Sequence, residues 1–268
     1  MRTLIIAEIS WCHLGNMKLA EEMIKSAAST GVDYVKFQSW SVKNLKPGEW
    51  DKDGRREIYE SAELSKDDHE FLINICKDNK VKFLTSVFSK DDLNKLPQSY
   101  GSHAIKIPST EINNFDLIEA CNFDNIYIST GASSFHEVQL LLKTFPNKNI
   151  TLLHCVSSYP CKDEKCNLNK IHLLNILHSK VGYSDHTIGV NAPFYAISNN
   201  AHILEKHFTI DSSLPGRDNK FAATPDIMKQ ICDFRDFVDN STAGLVVDYL
   251  PEEESARVHY RQRWSKNV

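Results

Sequence analysis

The chain is 268 residues long, 41% hydrophobic and 25% charged, an ordinary composition for a globular protein. A net charge of −4, with a pI near 6.3, excludes a nucleic-acid binder that relies on bulk positive charge. The longest apolar run near the start, residues 4–7, is broken by Glu8, which excludes a signal-peptide core or a membrane span there.

Residues 3–10 read as a first strand, and residues 17–30 as a helix with Met23, Ile24, Ala27 and Ala28 on one stripe, stopped by Gly31. A second strand over 34–39 leads into an insertion, 40–64, that carries Trp40, Trp50, Asp51, Asp53, Arg55 and Arg56. Ser65 followed by Asp67 and Asp68 predicts a capped helix start. Strands are then predicted over 81–88, 104–109, 125–131, 149–158, 181–187 and 202–209, several of them nearly continuous apolar runs, as strands covered on both faces should be. Helical periodicity recurs over 133–145 (Val138, Leu141, Leu142, Phe145), 167–179 and 226–238.

Eight strands with helical crossovers predict an α/β fold with a parallel sheet. A chain close to the about 250 residues of a single (β/α)8 TIM barrel favours closure over an open sheet. The first strand is followed by one glycine, Gly15, and not by the Gly-rich phosphate loop that an open doubly wound sheet would want. Residues 1–244 are read as one catalytic barrel, and 245–268 as a short charged tail. The seven cysteines are scattered and odd in number, and no second pair matches Cys161 and Cys166 to complete a zinc site. Reduced thiols, and with them a cytoplasmic location, are the expectation.

Side chains alternate along a strand, so residues of equal parity share a face. Ile6, Glu8 and Ser10 share one; so do Tyr34, Lys36 and Gln38; Ala104 and Lys106; Gly182, Ser184 and His186; Ile203, Glu205 and His207. If these faces turn inward, the C-terminal mouth collects Glu8, Lys36, Gln38, Lys106, Ser184, His186 and His207, with Ser109 and Glu111 just beyond. Buried charges need partners or a ligand. His186 and His207 on adjacent strands form a candidate metal pair with coordination positions left open. Lys36 and Lys106 are candidates to neutralise a phosphate or carboxylate, to salt-bridge Glu8 and Glu111, or, in one of them, to form a Schiff base. Ser109, Ser129 and Ser184, with Thr130 and Gly131, add hydroxyl and backbone donors to an anion site.

From residue 7 to about 224 the sequence resembles the nonulosonic (sialic) acid synthases. The resemblance is carried, in order, by Ala7-Glu8-Ile9 with His13 and Gly15, Lys36-Phe37-Gln38, Phe88-Ser89, Lys106-Ile107-Pro108-Ser109-Thr110-Glu111, Ser129-Thr130-Gly131 and His154-Cys155-Val156-Ser157-Ser158-Tyr159-Pro160. Gly182-Tyr183-Ser184-Asp185-His186-Thr187-Ile188-Gly189, Leu204-Glu205-Lys206-His207-Phe208-Thr209 and Pro215-Gly216-Arg217-Asp218 follow. The resemblance implies a barrel enzyme of surface-glycan biosynthesis that condenses phosphoenolpyruvate with an N-acylated hexosamine, resembling N-acetylmannosamine, and releases inorganic phosphate. It implies a divalent metal, manganese or magnesium, on His186 and His207. It further implies that Lys36, Ser86, Lys106, Ser109, Ser129, Ser157 and Ser184 hold phosphoenolpyruvate, and that Glu8, Gln38, Glu111, Tyr159 and Asp218 face the sugar. Glu8 and Glu111 are the candidate acid and base, with Lys106 and Asp218 beside them in catalysis.

Three departures stand out. Cys12 and Asn219 occupy positions where the family commonly has Asn and His. The sequence also ends where the family's linker to a small antifreeze-like domain would begin; that domain gives an arginine to the partner subunit's sugar site. The expectation is a linker remnant in which Arg261 or Arg263 substitutes, or a homodimer or separate partner protein that supplies the cap. The alternatives are a Schiff-base aldolase on the same barrel and a catalytically inactive barrel that binds a sugar or metabolite.

Overall fold

The computed structural model describes residues 2–264. Eight parallel strands close into a barrel in sequence order: β1 (Leu4–Ser10), β2 (Tyr34–Ser39), β3 (Lys82–Val87), β4 (Ile105–Ile107), β5 (Ile126–Ser129), β6 (Ile150–His154), β7 (Val181–Asp185) and β8 (Ile203–His207). β8 returns to β1 in a register that sets Ile6 opposite Glu205 and Glu8 opposite His207. Around the barrel run α1 (Met17–Ser29), α2 (Arg55–Ser61), α3 (Lys66–Asp78), α4 (Lys90–Leu93), α5 (Phe115–Ala120), α6 (Phe135–Thr144), α7 (Lys170–Leu177), α8 (Asn191–Ser198) and α9 (Pro225–Ser241), followed by α10 (Glu254–His259) in the tail.

The local chemistry explains the boundaries. Asn16 caps α1 by accepting from the backbone N–H of Lys18 and Leu19, and Gly31, at φ +95°, takes the left-handed turn just past the helix end. Ser65 and Asp68 form a capping box at α3, and Ser134 and Glu137 form another at α6. β4 is shorter than its apolar run because Pro108 has no N–H to continue the ladder, and a single 3-10 turn, Ser109–Glu111, follows. The helix expected over 167–179 starts at Lys170, since Asn167 is in the left-handed region at φ +48°. Two crossovers carry only the short helices α4 and α5, which lack enough turns for a periodicity to be read.

Two apolar bodies hold the fold. The larger lies between the barrel wall and the helices and includes Ile5, Ala7, Val35, Phe37, Ile107, Leu141 and Ile231. The smaller plugs the floor of the lumen with Ile6, Tyr34, Leu84, Ala104, Tyr127, Leu153 and Ile203. Layered side chains of this kind make a barrel interior a packed core and not a pore. The wall itself carries a buried ion pair, Lys206 to Asp185, whose second carboxylate oxygen accepts from the Tyr183 hydroxyl and the Thr187 N–H. Residues 244–264 are exposed throughout, and within them Arg257 lies 4.2 Å over the Tyr249 ring. Among the described residues no helix is long and apolar enough to cross a membrane, and all seven cysteines are free and buried.

Gly182 on β7 sits where a methyl group would lie 2.3 Å from the Ile203 carbonyl oxygen and 2.7 Å from Leu153. Gly182→Ala therefore forces β7 and β8 apart at the floor of the lumen. We expect it to cost about 1–3 kcal/mol and to lower Tm by several degrees in thermal denaturation; an unchanged Tm would contradict this packing.

Candidate active site

One layer above the apolar floor, the inward positions of the strands are ionisable. Lys36 pairs with Glu8 and lies 3.4 Å from Glu205, and its ammonium donates to the Ser86 hydroxyl at 2.7 Å. Lys106 lies 3.9 Å from the other oxygen of Glu205 and donates to Ser129 at 2.7 Å and to the Ile107 carbonyl at 3.2 Å. Ser184 donates to Glu205 at 2.8 Å, and Gln38 donates to Glu8 at 3.2 Å. The four charged side chains are almost wholly buried. Two carboxylates and two ammoniums balance, which is the condition for keeping them out of water.

Their proton affinities diverge with their neighbours. Burial drives Glu8 up to about 7, with Lys36 restraining the rise only in part. Burial also opposes ionisation of Glu205, but Lys106 and Lys36 overcome it and hold this carboxyl down at about 2. For Lys36, burial is outweighed by Glu205 and Glu8, which raise the amine; for Lys106, burial wins and the amine is lowered.

His186 and His207 stand beside this layer with ring centroids 5.7 Å apart. The His186 Nδ1–H donates to the Val156 carbonyl at 2.8 Å, which leaves Nε2 with its lone pair. The His207 Nδ1 is buried without a hydrogen-bond partner, its nearest acid being Asp218 at 3.7 Å. Burial lowers both imidazoles, His207 to about 4, so both are neutral at physiological pH. Neutral rings with available nitrogens fit a divalent transition metal. Among the described residues no cluster of three His, Cys, Asp or Glu joins to complete a closed site. The pair would therefore leave coordination positions open to substrate and water.

Above lies a cavity of about 620 Å³ whose walls include Gln38, Ser109, Glu111, Tyr159, His207 and Asp218. The insertion forms one side of it. Trp40 donates to the Tyr59 carbonyl, Tyr59 stacks on Trp11 at 5.0 Å, and Lys95 ties the Trp40 carbonyl to Glu63. Asp92 accepts from the Phe88 and Ser89 N–H groups and from the Ser41 hydroxyl, joining the insertion to the loop after β3. On the opposite wall Tyr159 packs against His186 at 4.2 Å. Asp218 is buried and accepts from the Trp11 indole and the Ser10 hydroxyl.

The sequence-predicted residues thus divide into two tiers. Glu8, Lys36, Ser86, Lys106, Ser129 and Ser184 form a closed cluster, whereas Gln38, Ser109, Glu111, Tyr159, His207 and Asp218 line the cavity above it. Ser157 lies at the rim, 3.2 Å from Ser109, and a methyl group on Gly131 would come within 2.4 Å of its hydroxyl. One pairing considered from sequence is corrected: Lys106 bridges to Glu205 and not to Glu111, because Glu111 lies beyond Pro108 on the 3-10 turn and is held by Asn114 at 2.9 Å. Glu205 is the residue that sequence reasoning left without a role. It shares the inward parity of His207, and that signal alone would have placed it in the cluster.

A model described as the NeuB family matches residues 23–242. The chain belongs to the NeuB family. It is 32% identical over 252 residues to an N,N'-diacetyllegionaminic acid synthase of Legionella pneumophila, covering 86% of this chain and 70% of that one. It is 33% identical over 246 residues to an N-acetylneuraminate-9-phosphate synthase of Drosophila melanogaster, covering 85% of this chain and 65% of that one. A solved structure of N-acetylneuraminic acid (sialic acid) synthetase from Leptospira borgpetersenii, in complex with citrate, aligns over 100% of this chain and 94% of its own at 27% identity, with a TM-score of 0.85. The NeuB-family chain therefore has the architecture of acid synthases over its whole barrel.

His13, fully buried beside Phe37, gives a pH-dependent consequence. Its Nδ1 accepts from the Gly15 N–H, and burial lowers it from 6.5 to about 4. The unfolded chain therefore takes up this proton first, so the contribution is complete above pH 6.5 and is lost as pH falls toward 4, by up to about 3 kcal/mol. Glu8, raised in the fold, runs the opposite way but is common to wild type and variant. Urea unfolding at pH 7 and pH 4 should show a smaller acid-induced loss in His13→Gln than in wild type; equal losses would remove His13 as the cause.

Proposed function

We propose that this NeuB-family enzyme condenses phosphoenolpyruvate with an N-acylated hexosamine to give a nonulosonic, sialic-type acid and inorganic phosphate, with a divalent metal held by His186 and His207. The observation that carries the reading is the buried layer of Lys36 and Lys106, joined through Glu205, next to the His186–His207 pair and beneath a cavity that His207 lines. The names of the Legionella and Drosophila relatives, a legionaminic acid synthase and an N-acetylneuraminate-9-phosphate synthase, support it.

In this reading, Lys36 and Lys106 receive the phosphate and carboxylate of phosphoenolpyruvate, with the hydroxyls of Ser86, Ser109, Ser129, Ser157 and Ser184 as further donors. When bound, a divalent ion at His186 and His207, manganese or magnesium, supplies Lewis acidity to the aldehyde oxygen of the acceptor. C3 of phosphoenolpyruvate bonds to the aldehyde carbon, water adds at C2, and the tetrahedral carbon then expels phosphate. Glu8, with its proton affinity raised to about 7, can both hold and release a proton at neutral pH. In this reading it protonates the new alkoxide or takes the proton of the attacking water. Glu111 and Asp218, on the cavity wall, face the sugar and serve its ring opening and orientation, with Tyr159 and Gln38 packing beside it. Glu205, shared by the two lysines, holds both in place before the substrate arrives.

The lowered amine of Lys106 is the one feature that favours a Schiff-base aldolase instead. Borohydride trapping of pyruvate on Lys106, or turnover that survives EDTA, would support that alternative. The condensation predicts that phosphate release and a new acid of the summed mass, read by mass spectrometry, require phosphoenolpyruvate, an N-acyl hexosamine and a divalent ion together. EDTA should abolish turnover and manganese restore it. Lys106→Met should raise KM for phosphoenolpyruvate about 100-fold, and His207→Ala should cut kcat/KM about 1,000-fold with loss of bound metal. No product from any acceptor in a broad panel would overturn the reading.

A further inference from the structure

Arg217 has a setting that the reaction as described does not use. It lies in the loop between β8 and α9, on the cavity wall, with its guanidinium carbon 5.2 Å from the Tyr159 ring and 6.0 Å from the Trp11 ring. Both platforms are themselves fixed. Trp11 stacks on Tyr59 and donates to Asp218, and Tyr159 packs on His186 and lies 5.9 Å from Phe221. The loop is pinned at its ends by a bridge between Phe208 and Ala223, with the Ala223 N–H donating to the His207 carbonyl at 2.7 Å. Within it, Asn219 donates to the Pro215 carbonyl at 2.7 Å.

The Arg217 Nε lies 3.5 Å from one oxygen of Asp218, whose other oxygen is taken by Trp11 and Ser10. Among the described residues its terminal nitrogens have no protein partner, and the side chain is half exposed, at 51%. The neighbouring arginines of the insertion are already neutralised, Arg55 by Asp53 and Arg56 by Asp51. An arginine whose faces rest on aromatic rings keeps its in-plane N–H fork free, and that fork is the geometry that grips a carboxylate or phosphate with two parallel bonds.

We infer that Arg217 determines acceptor specificity by binding an oxyanion, a phosphate ester or a carboxylate, carried by the acceptor sugar away from its aldehyde. The inference rests on the proposed condensation, which directs the aldehyde toward His186 and His207; Arg217 is separated from those rings by Tyr159 and Asp218 and so meets the sugar beyond its aldehyde. Glu111 and Asp92 on the same cavity do not compete for that oxyanion. Asp92 is committed to the Phe88 and Ser89 N–H groups and the Ser41 hydroxyl, and Glu111 to Asn114.

The test uses the full chain with phosphoenolpyruvate and manganese and three acceptors: N-acetylmannosamine, its 6-phosphate and its 6-carboxylate. Product is read by mass spectrometry, since phosphate release alone would confuse the phosphorylated acceptor. At least one anionic acceptor should exceed the neutral sugar in kcat/KM by about 10- to 100-fold, chiefly through KM, and the better of the two identifies the oxyanion. In Arg217→Gln the ratio should collapse toward one, and in Arg217→Lys it should fall part of the way, because a point charge replaces the fork. A wild-type preference for the neutral sugar, or an anionic preference that persists in Arg217→Gln, would overturn the role of Arg217 while leaving the condensation standing. If the glutamine variant fails to fold, the wild-type ratio and the lysine variant still decide. No product with any acceptor would withdraw the condensation itself, and this inference with it.

Discussion

Glu205 is shared between two buried lysines, and the rest of the barrel is arranged so that this sharing can persist. Neither ammonium would remain charged at such depth alone, since desolvation of an ion in the interior costs several kcal/mol. With Glu8 on Lys36 and Glu205 reaching both lysines, the layer is neutral as a whole, yet each ammonium keeps its charge unevenly compensated. That unevenness is useful. Lys106, with its carboxylate partner at 3.9 Å, is the less satisfied cation, and an entering dianion would gain most by approaching it. Glu8, whose proton affinity burial raises to about 7, can answer the added negative charge by taking a proton.

The layers above and below protect that balance in different ways. Tyr34, Tyr127 and Leu84 fill the lumen beneath, so water has no route in from the N-terminal end of the barrel. Above, the ring of Tyr159 covers His186 and the Trp11–Tyr59–Trp40 cluster walls the cavity. Glycine is used where bulk would close the space: at Gly182 the strands approach too closely for any side chain, and at Gly131 a methyl group would intrude on Ser157 and Cys155. The charged layer is thus held between an apolar floor and an aromatic wall, where its electrostatic interactions are stronger than they would be in water.

Much of this was legible in the sequence because the barrel converts parity into position. Glu8, Lys36 and Lys106 stand between apolar neighbours in strands that are otherwise largely hydrophobic, and the period of two sends them, with Ser184 and His207, to the lumen. The short crossovers were less legible. α4 and α5 have too few turns to display a helical stripe, and β4 ends at Pro108 for a local covalent reason that its apolar run does not reveal. Pairing across strands was legible only in part, because parity gives the face but the register decides the partner. Lys106 meets Glu205 across the lumen, and no spacing along the chain encodes that contact. The packing of Trp11 and Tyr59 is of the same kind, a contact between the first βα loop and a helix within the insertion.

The two departures from the family pattern, Cys12 and Asn219, are both buried and neither lines the cavity. Asn219 holds the Pro215 carbonyl and so fixes the curve of the segment that carries Arg217 and Asp218; Cys12 sits behind Trp11 in the turn that follows β1. Substitutions at such places would change the cavity wall indirectly, by moving the loops on which Trp11, Arg217 and Asp218 are mounted. In the lumen, removing any one of Glu8, Lys36, Lys106 or Glu205 would leave a buried charge without a partner. In a barrel built this way the loops around the cavity can vary while the charged layer stays where the strands put it.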